Sequence, residues 1–212
     1  MAWAYFIARR AEADSEGVFN PLDKTHLAES VRDHLLKRPV VPLPPNRFKG
    51  AGIYVIYYTG DFPAYRKIAG IAPTDEKARP IYVGKAVPKG SRKGGRLDDD
   101  PAYVLHRRLS EHADSIEQAR NLNLSDFHCR YLLVDDIWIP LGESLLIETF
   151  KPVWNKLVDG FGHHDQGKAR RTQKKSAWDS LHPGRSWAEK VQQPNDKSPK
   201  EIEEEVVAYL SE

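Results

Sequence analysis

The stretch GAGIYVIYYTG, residues 50–60, is the key to the architecture. Its centre is an unbroken run of β-branched and aromatic residues bounded by glycines, which predicts a strand buried in the interior. Before it, PVVPLPPNRF (39–48) is too rich in proline for helix or central strand and reads as an extended connector. Earlier still, residues 23–37 place Leu27, Val31 and Leu35 four apart, which predicts a helix with one apolar stripe. Beyond it, residues 61–80 read as an irregular connection, long enough to be a functional loop or a decoration. A second short strand, PIYVG (80–84), follows, and then a basic loop. Residues 101–119 predict a helix with proline in its first turn, Phe127–Val134 a strand, and 140–151 a short apolar helix closed by Pro152. The remainder is loop-rich and basic, ending in an amphipathic helix, EIEEEVVAYL (201–210). Strand, strand, helix, strand, helix is the order of a small mixed α/β domain.

Composition narrows the function classes. Of the 212 residues, 40% are apolar and 29% charged, the balance of a folded protein and not of a disordered one. No apolar run approaches the roughly 18 residues that span a bilayer, so no membrane role is expected. The first residues, MAWAYFIARR, carry no basic leader, so no secretory signal is expected. Cys129 is the single cysteine, which excludes an internal disulfide and a cysteine-based zinc site and points to a reducing, cytoplasmic setting. No G-x-x-x-x-G-K-[ST] run is present, so no nucleotide cofactor is expected. The formal net charge of +2 is uninformative, but its distribution is not. Lys85, Lys89, Arg92, Lys93 and Arg96 form one patch without an acid, and Lys168, Arg170, Arg171, Lys174 and Lys175 form another. Such patches suit a polyanion, though solvated loops can have the same composition.

Two helices carry polar groups where apolar ones belong. In 101–119, Leu105, Leu109 and Ile116 share a stripe that also contains His112, with Arg108 at its edge. The plain structural reading is a boundary histidine and a snorkelling arginine. In 140–151, Glu143 falls in the middle of the face made by Leu146, Ile147 and Phe150. A carboxylate among apolar neighbours needs a cation or a donor, and a metal ion would serve. Tyr54 and Tyr82 on the two strands would ordinarily be core residues, and Asn155 a turn or cap residue. None of these is specific alone.

Their order is. GIY (52–54) and YVG (82–84), followed by Arg108, His112, Glu143 and Asn155, resemble the GIY-YIG nuclease superfamily. The blocks PPNRFKGAGIYVIYYTG (44–60), PIYVGKAVPKG (80–90), RRLSEH (107–112), NLSDFHCR (123–130), KPVWNKLVDGFGHH (151–164) and WDSLHPGRSWAEK (178–190) are more specific. They are similar to the type II restriction endonucleases of that superfamily that cut CCGCGG. The sequence departs from the superfamily in having YVG for YIG, and in the longer spacing caused by residues 61–80, an insertion that the restriction enzymes also carry.

The resemblance implies an α/β (α+β) core with a short, mainly antiparallel sheet flanked by helices. The expected divisions are an N-terminal arm and connector (1–43), a catalytic core (44–160, with the insertion at 61–80) and a basic C-terminal extension (161–212). It implies a divalent cation, magnesium or another such as manganese, on Glu143, and phosphate contacts from Arg108. Tyr54 is the candidate general base, His112 a proton relay or phosphate ligand, and Tyr82 and Asn155 orient water and phosphate. The metal, Lys85 and Arg108 are the candidates for lowering the Tyr54 pKa. Lys89, Arg92, Lys93, Arg96, Arg170, Arg171, Lys174 and Lys175 are the candidate DNA contacts. Double-stranded DNA is the expected partner, and a palindromic target is met most simply by a homodimer. The rival reading is a non-catalytic nucleic-acid-binding module on the same fold, which gives Glu143 no reason to lie among apolar residues.

Overall fold

Alternation along one strand organises the structure. The protein is described here by a computed structural model covering residues 23–88, 101–163 and 172–211. Its four strands are β1 (Val41–Pro42), β2 (Gly52–Tyr58), β3 (Tyr82–Ala86) and β4 (Phe127–Leu133), all antiparallel, in the spatial order β1-β4-β2-β3. All seven residues of β2 are buried, as its uniformly apolar and aromatic run requires.

Because successive side chains point to opposite faces, β2 feeds two cores. Ile53, Val55 and Tyr57 pack with Leu35 of α1 (Lys24–Leu36) and with Ile139 and Leu146 of α4 (Ile139–Phe150). Tyr54, Ile56 and Tyr58 face the other way, onto Leu105, Leu109 and Ile116 of α3 (Val104–Gln118) and onto Trp154 of α5 (Val153–Lys156). Fully burying one such side chain stabilises by about 1.5–3 kcal/mol. The sheet is therefore covered on both faces, and β3 forms one open edge.

Local signals set the ends of the elements. Asp23 caps α1 by accepting from the Thr25 amide at 2.8 Å. Pro140 occupies the first turn of α4, and Lys151 ends that helix in the left-handed region at φ 45°. The helix expected from residue 101 starts at Val104, because Pro101–Tyr103 forms a 3-10 turn first.

Residues 61–80 differ from the irregular connection expected of them. Pro63–Tyr65 is a 3-10 turn that runs into α2 (Arg66–Ala69). Tyr65 and Ile68 are buried, and the Tyr65 hydroxyl accepts from the Trp154 indole at 2.8 Å. Tertiary packing organises a segment without helical periodicity of its own. Towards the C-terminus lie α6 (Ala177–Leu181) and α7 (Pro199–Tyr209), the latter opened by a capping box between Ser198 and Glu201. Trp178, Ile202 and Val206 join the same core as Tyr54 and Trp154. Among the described residues, no helix is long and apolar enough to cross a membrane.

Candidate active site

The site begins with a register. Tyr54 of β2 lies opposite Gly84 of β3, and Tyr82, two residues away, projects from the same face. A Cβ at Gly84 would overlap the Tyr54 hydroxyl. The absence of a side chain is what lets the Tyr54 phenol reach across β3 towards the open edge. The two phenol rings stand with centroids 6.2 Å apart.

Helix α3 supplies the next two groups. His112 is 1% exposed, and its Nε2 lies 2.6 Å from the Tyr54 hydroxyl. Arg108, one turn earlier, has its charge beside both phenols. It donates through Nη1 to Glu111 at 3.2 Å and through Nη2 to the Gly162 carbonyl at 2.9 Å. Phe161, in the turn after α5, stacks on the His112 imidazole with centroids 4.4 Å apart and planes 17° apart.

Glu143 comes from the other face of the sheet. Lys85 is on β3 with its side chain on the α4 side, and its Nζ lies 2.6 Å from Glu143 Oε2. The Glu143 carboxylate works in the same direction as burial on both Tyr54 and Tyr82, raising them. Asn155 bonds to the backbone of β3. It accepts from the Val83 amide and donates to the Val83 carbonyl, both at 2.8 Å, which pins the backbone of β3 between Tyr82 and Gly84.

The electrostatics are those of a dry site. Burial holds the Tyr54 phenol well above its ordinary value, Tyr82 adds to this, and the Arg108 guanidinium opposes both. Burial likewise raises Tyr82, again against Arg108. Burial works against the Arg108 charge, but Tyr54, Tyr82 and Glu111 outweigh it and hold that pKa above its usual value. The expectation that nearby cations lower the Tyr54 pKa is thus met only by the Arg108 contribution, and desolvation outweighs it.

For a metal ion, the candidate carboxylate is Glu143. Among the described residues, no cluster of three or more histidine, cysteine, aspartate or glutamate side chains could hold an ion. Glu143 is partly exposed and already faces a cation. Such a donor set suits magnesium, which keeps most of its waters and takes one or two carboxylates plus substrate phosphate.

The basic candidates divide. Lys89, Arg92, Lys93, Arg96, Arg170 and Arg171 lie outside the described residues. Lys174 is in an exposed ion pair with Asp196 at 2.6 Å, and the Lys175 backbone pairs with Gln193 and Asn195. Sequence patterns do not single out Arg47 and Lys49, exposed cations lying 4.2 and 5.7 Å from the ring centroid of Tyr103, just before α3. Nor do they single out Phe161 and Gly162, whose only local signal is the turn-like DGFG (159–162).

No curated protein matches the chain. Residues 46–210 match the family described as the Eco29kI GIY-YIG domain, a type II restriction endonuclease family, and the chain belongs to that family.

Proposed function

We propose that this chain is a type II site-specific deoxyribonuclease that hydrolyses double-stranded DNA at a palindromic, GC-rich site, CCGCGG, using one divalent cation per active site and acting as a homodimer. The observation that carries this reading is the convergence of Tyr54, Tyr82, Arg108, His112, Glu143 and Lys85 on one edge strand.

Hydrolysis requires water to attack phosphorus as the bond to the 3′ oxygen breaks. The Tyr54 hydroxyl is 2.6 Å from His112 Nε2, so a neutral imidazole there can accept the phenolic proton. The phenolate then accepts a proton from the attacking water. Phe161 stacked on the ring holds the imidazole in place, and the Arg108 charge beside the phenol works for the phenolate against burial. Arg108 presents a permanently charged fork to the non-bridging oxygens, where charge accumulates. Glu143 would hold the divalent cation, which when bound would supply Lewis-acid stabilisation to the phosphate and the departing oxygen. Lys85 aims the carboxylate and offsets its charge. Asn155 keeps Tyr82 and Gly84 in register by fixing Val83.

Plasmid DNA incubated with magnesium, against the same mixture with EDTA, tests the reading, with product ends sequenced to identify the site. Glu143→Ala is expected to lower cleavage by more than about 10³-fold, beyond the 10²–10³ typical of one lost electrostatic contact. Duplex binding without divalent ion should stay within about threefold, whereas Glu148→Ala, an exposed position on the same helix, should change neither. A homodimer is expected to give linear product with little nicked intermediate. Folded protein that binds duplex and never cuts it with any divalent ion would establish the binding-module alternative.

A further inference from the structure

A second polar cluster lies in the core behind the site and has no part in the chemistry above. Arg185 is 1% exposed and Asp179 3%. Arg185 Nε donates to Asp179 Oδ1 at 2.7 Å, and Asp179 Oδ2 accepts from Ser176 Oγ at 2.7 Å. Arg185 Nη1 donates to the carbonyls of Phe161 and His163 at 3.1 and 3.2 Å, and Nη2 to that of Gly160 at 2.9 Å. The guanidinium also lies 4.4 Å from the ring centroid of Trp178 and 4.6 Å from that of Trp187.

Burying a charged pair costs several kcal/mol of desolvation, and apolar residues of similar volume would hold a core at least as well. What apolar residues cannot do is bind three carbonyls of one turn. That turn reverses at Gly160, with φ 101°, a conformation glycine adopts readily and other residues rarely. The carbonyls of 160, 161 and 163 point back to Arg185, and the remaining one, from Gly162, points to Arg108 Nη2 at 2.9 Å. Phe161, in the same turn, is the ring stacked on His112. The turn thus touches both polar side chains that α3 brings to the site, and Arg185 sets where the turn lies.

We propose that Arg185, oriented by Asp179, is a positioning residue for catalysis: it fixes the 160–163 turn so that the Gly162 carbonyl and the Phe161 ring hold Arg108 and His112 in their working geometry. This rests on the nuclease reading of the site. The active centre then includes a brace from further along the chain, contributed by the segment that carries α6, and its effect should fall on rate and not on DNA affinity.

A double-mutant cycle tests it. Arg185→Lys keeps a cation for Asp179 but gives up the planar fork, and Asp179→Asn, which keeps a polar partner for Ser176, carries the same comparison should the first variant not fold. Each is compared with wild type, Arg108→Ala and the double variant, with a thermal melt confirming folding. Duplex binding is measured without divalent ion, and single-turnover cleavage with magnesium at saturating DNA. Arg185→Lys is expected to slow cleavage by about 10²-fold, the scale of a misplacement near 1 Å, while binding changes by less than about threefold. In the Arg108→Ala background the same change should slow the residual rate by less than about tenfold, because much of what it positions is already gone. Equal losses in both backgrounds, or a loss of binding as large as the loss of rate, would overturn the proposal while leaving the nuclease reading intact. A wild type that does not cleave, or that is indifferent to Arg108→Ala, would overturn both.

Discussion

Two tyrosine–histidine pairs sit in this protein at nearly the same distance, and their surroundings give them different work. Tyr54 and His112 are 2.6 Å apart beside Arg108; Tyr65 and His182 are 2.7 Å apart, with Trp154 donating to Tyr65 and Asn121 Oδ1 meeting His182 Nδ1. The second pair is closed at both ends and has no charge to move. At the first, burial opposes ionisation of the phenol, so the phenolate persists only when the proton that His112 takes from it passes on to solvent, and its fraction grows with pH. The single-turnover rate should therefore rise with a log–log slope near one from about pH 6 to 8, and Tyr54→Phe should remove both the slope and about 10²–10⁴ of the rate. A pH–rate profile with the same slope in Tyr54→Phe would assign the base elsewhere. His182 reports in the opposite direction. Burial lowers its pKa to about 3, against about 6.5 in an unfolded chain, so between those values the unfolded state binds a proton that the folded state refuses. This residue's contribution to stability is thus unaffected above about pH 6.5 and is lost at about 1.4 kcal/mol per unit as pH falls below it. Urea unfolding at pH 7 and pH 5 should show a smaller loss for His182→Gln than for wild type.

Among the elements, the site depends on how closely β2 and β3 approach. The glycine of YVG is there for the Tyr54 phenol, which occupies the space its side chain would fill. Gly84→Ala should still fold, with a cost of about 1–3 kcal/mol for overpacking, because the phenol is enclosed on the other side by His112. Its cleavage rate should drop by about 10²-fold, since the displaced group is the proposed proton acceptor. A thermal melt and a single-turnover assay on one preparation check both numbers; an unchanged rate would remove Tyr54 from the mechanism. Asn155 shows the same dependence, its amide completing hydrogen bonds for Val83 on the side of β3 that pairs with no strand among the described residues.

Over the protein's surface, the cations that could meet DNA are not equivalent. Lys174 is held by Asp196, an exposed pair worth at most about 1 kcal/mol, whereas Arg47 and Lys49 make no ion pair among the described residues. Both also border the start of α3, since the Gly50 carbonyl accepts from the Leu105 amide at 3.2 Å and the Gly50 amide donates to the Ala102 carbonyl at 2.6 Å. Each phosphate contact contributes about 0.9 to the slope of log affinity against log salt. Replacing Arg47 and Lys49 together by alanine should reduce that slope by about two, and Lys174→Ala should reduce it by less than one, as read by fluorescence anisotropy of a labelled duplex from about 50 to 300 mM salt.

The order of the elements and the chemistry on offer were legible in the chain alone. An unbroken apolar run marked β2 as buried, and the apolar stripes marked α3 and α4 together with the polar residues that interrupt them, because these patterns are local and each position reports its own environment. Which groups meet was settled by packing. Glu143, on the helix packed against one face of the sheet, meets Lys85 of β3, while Tyr54 projects from the other face to meet His112; the 61–80 segment orders because Tyr65 finds Trp154 and His182; and Arg185 reaches back to the 160–163 turn. Such relations join residues tens of positions apart, and no local pattern encodes them, since they arise when two cores close against one strand.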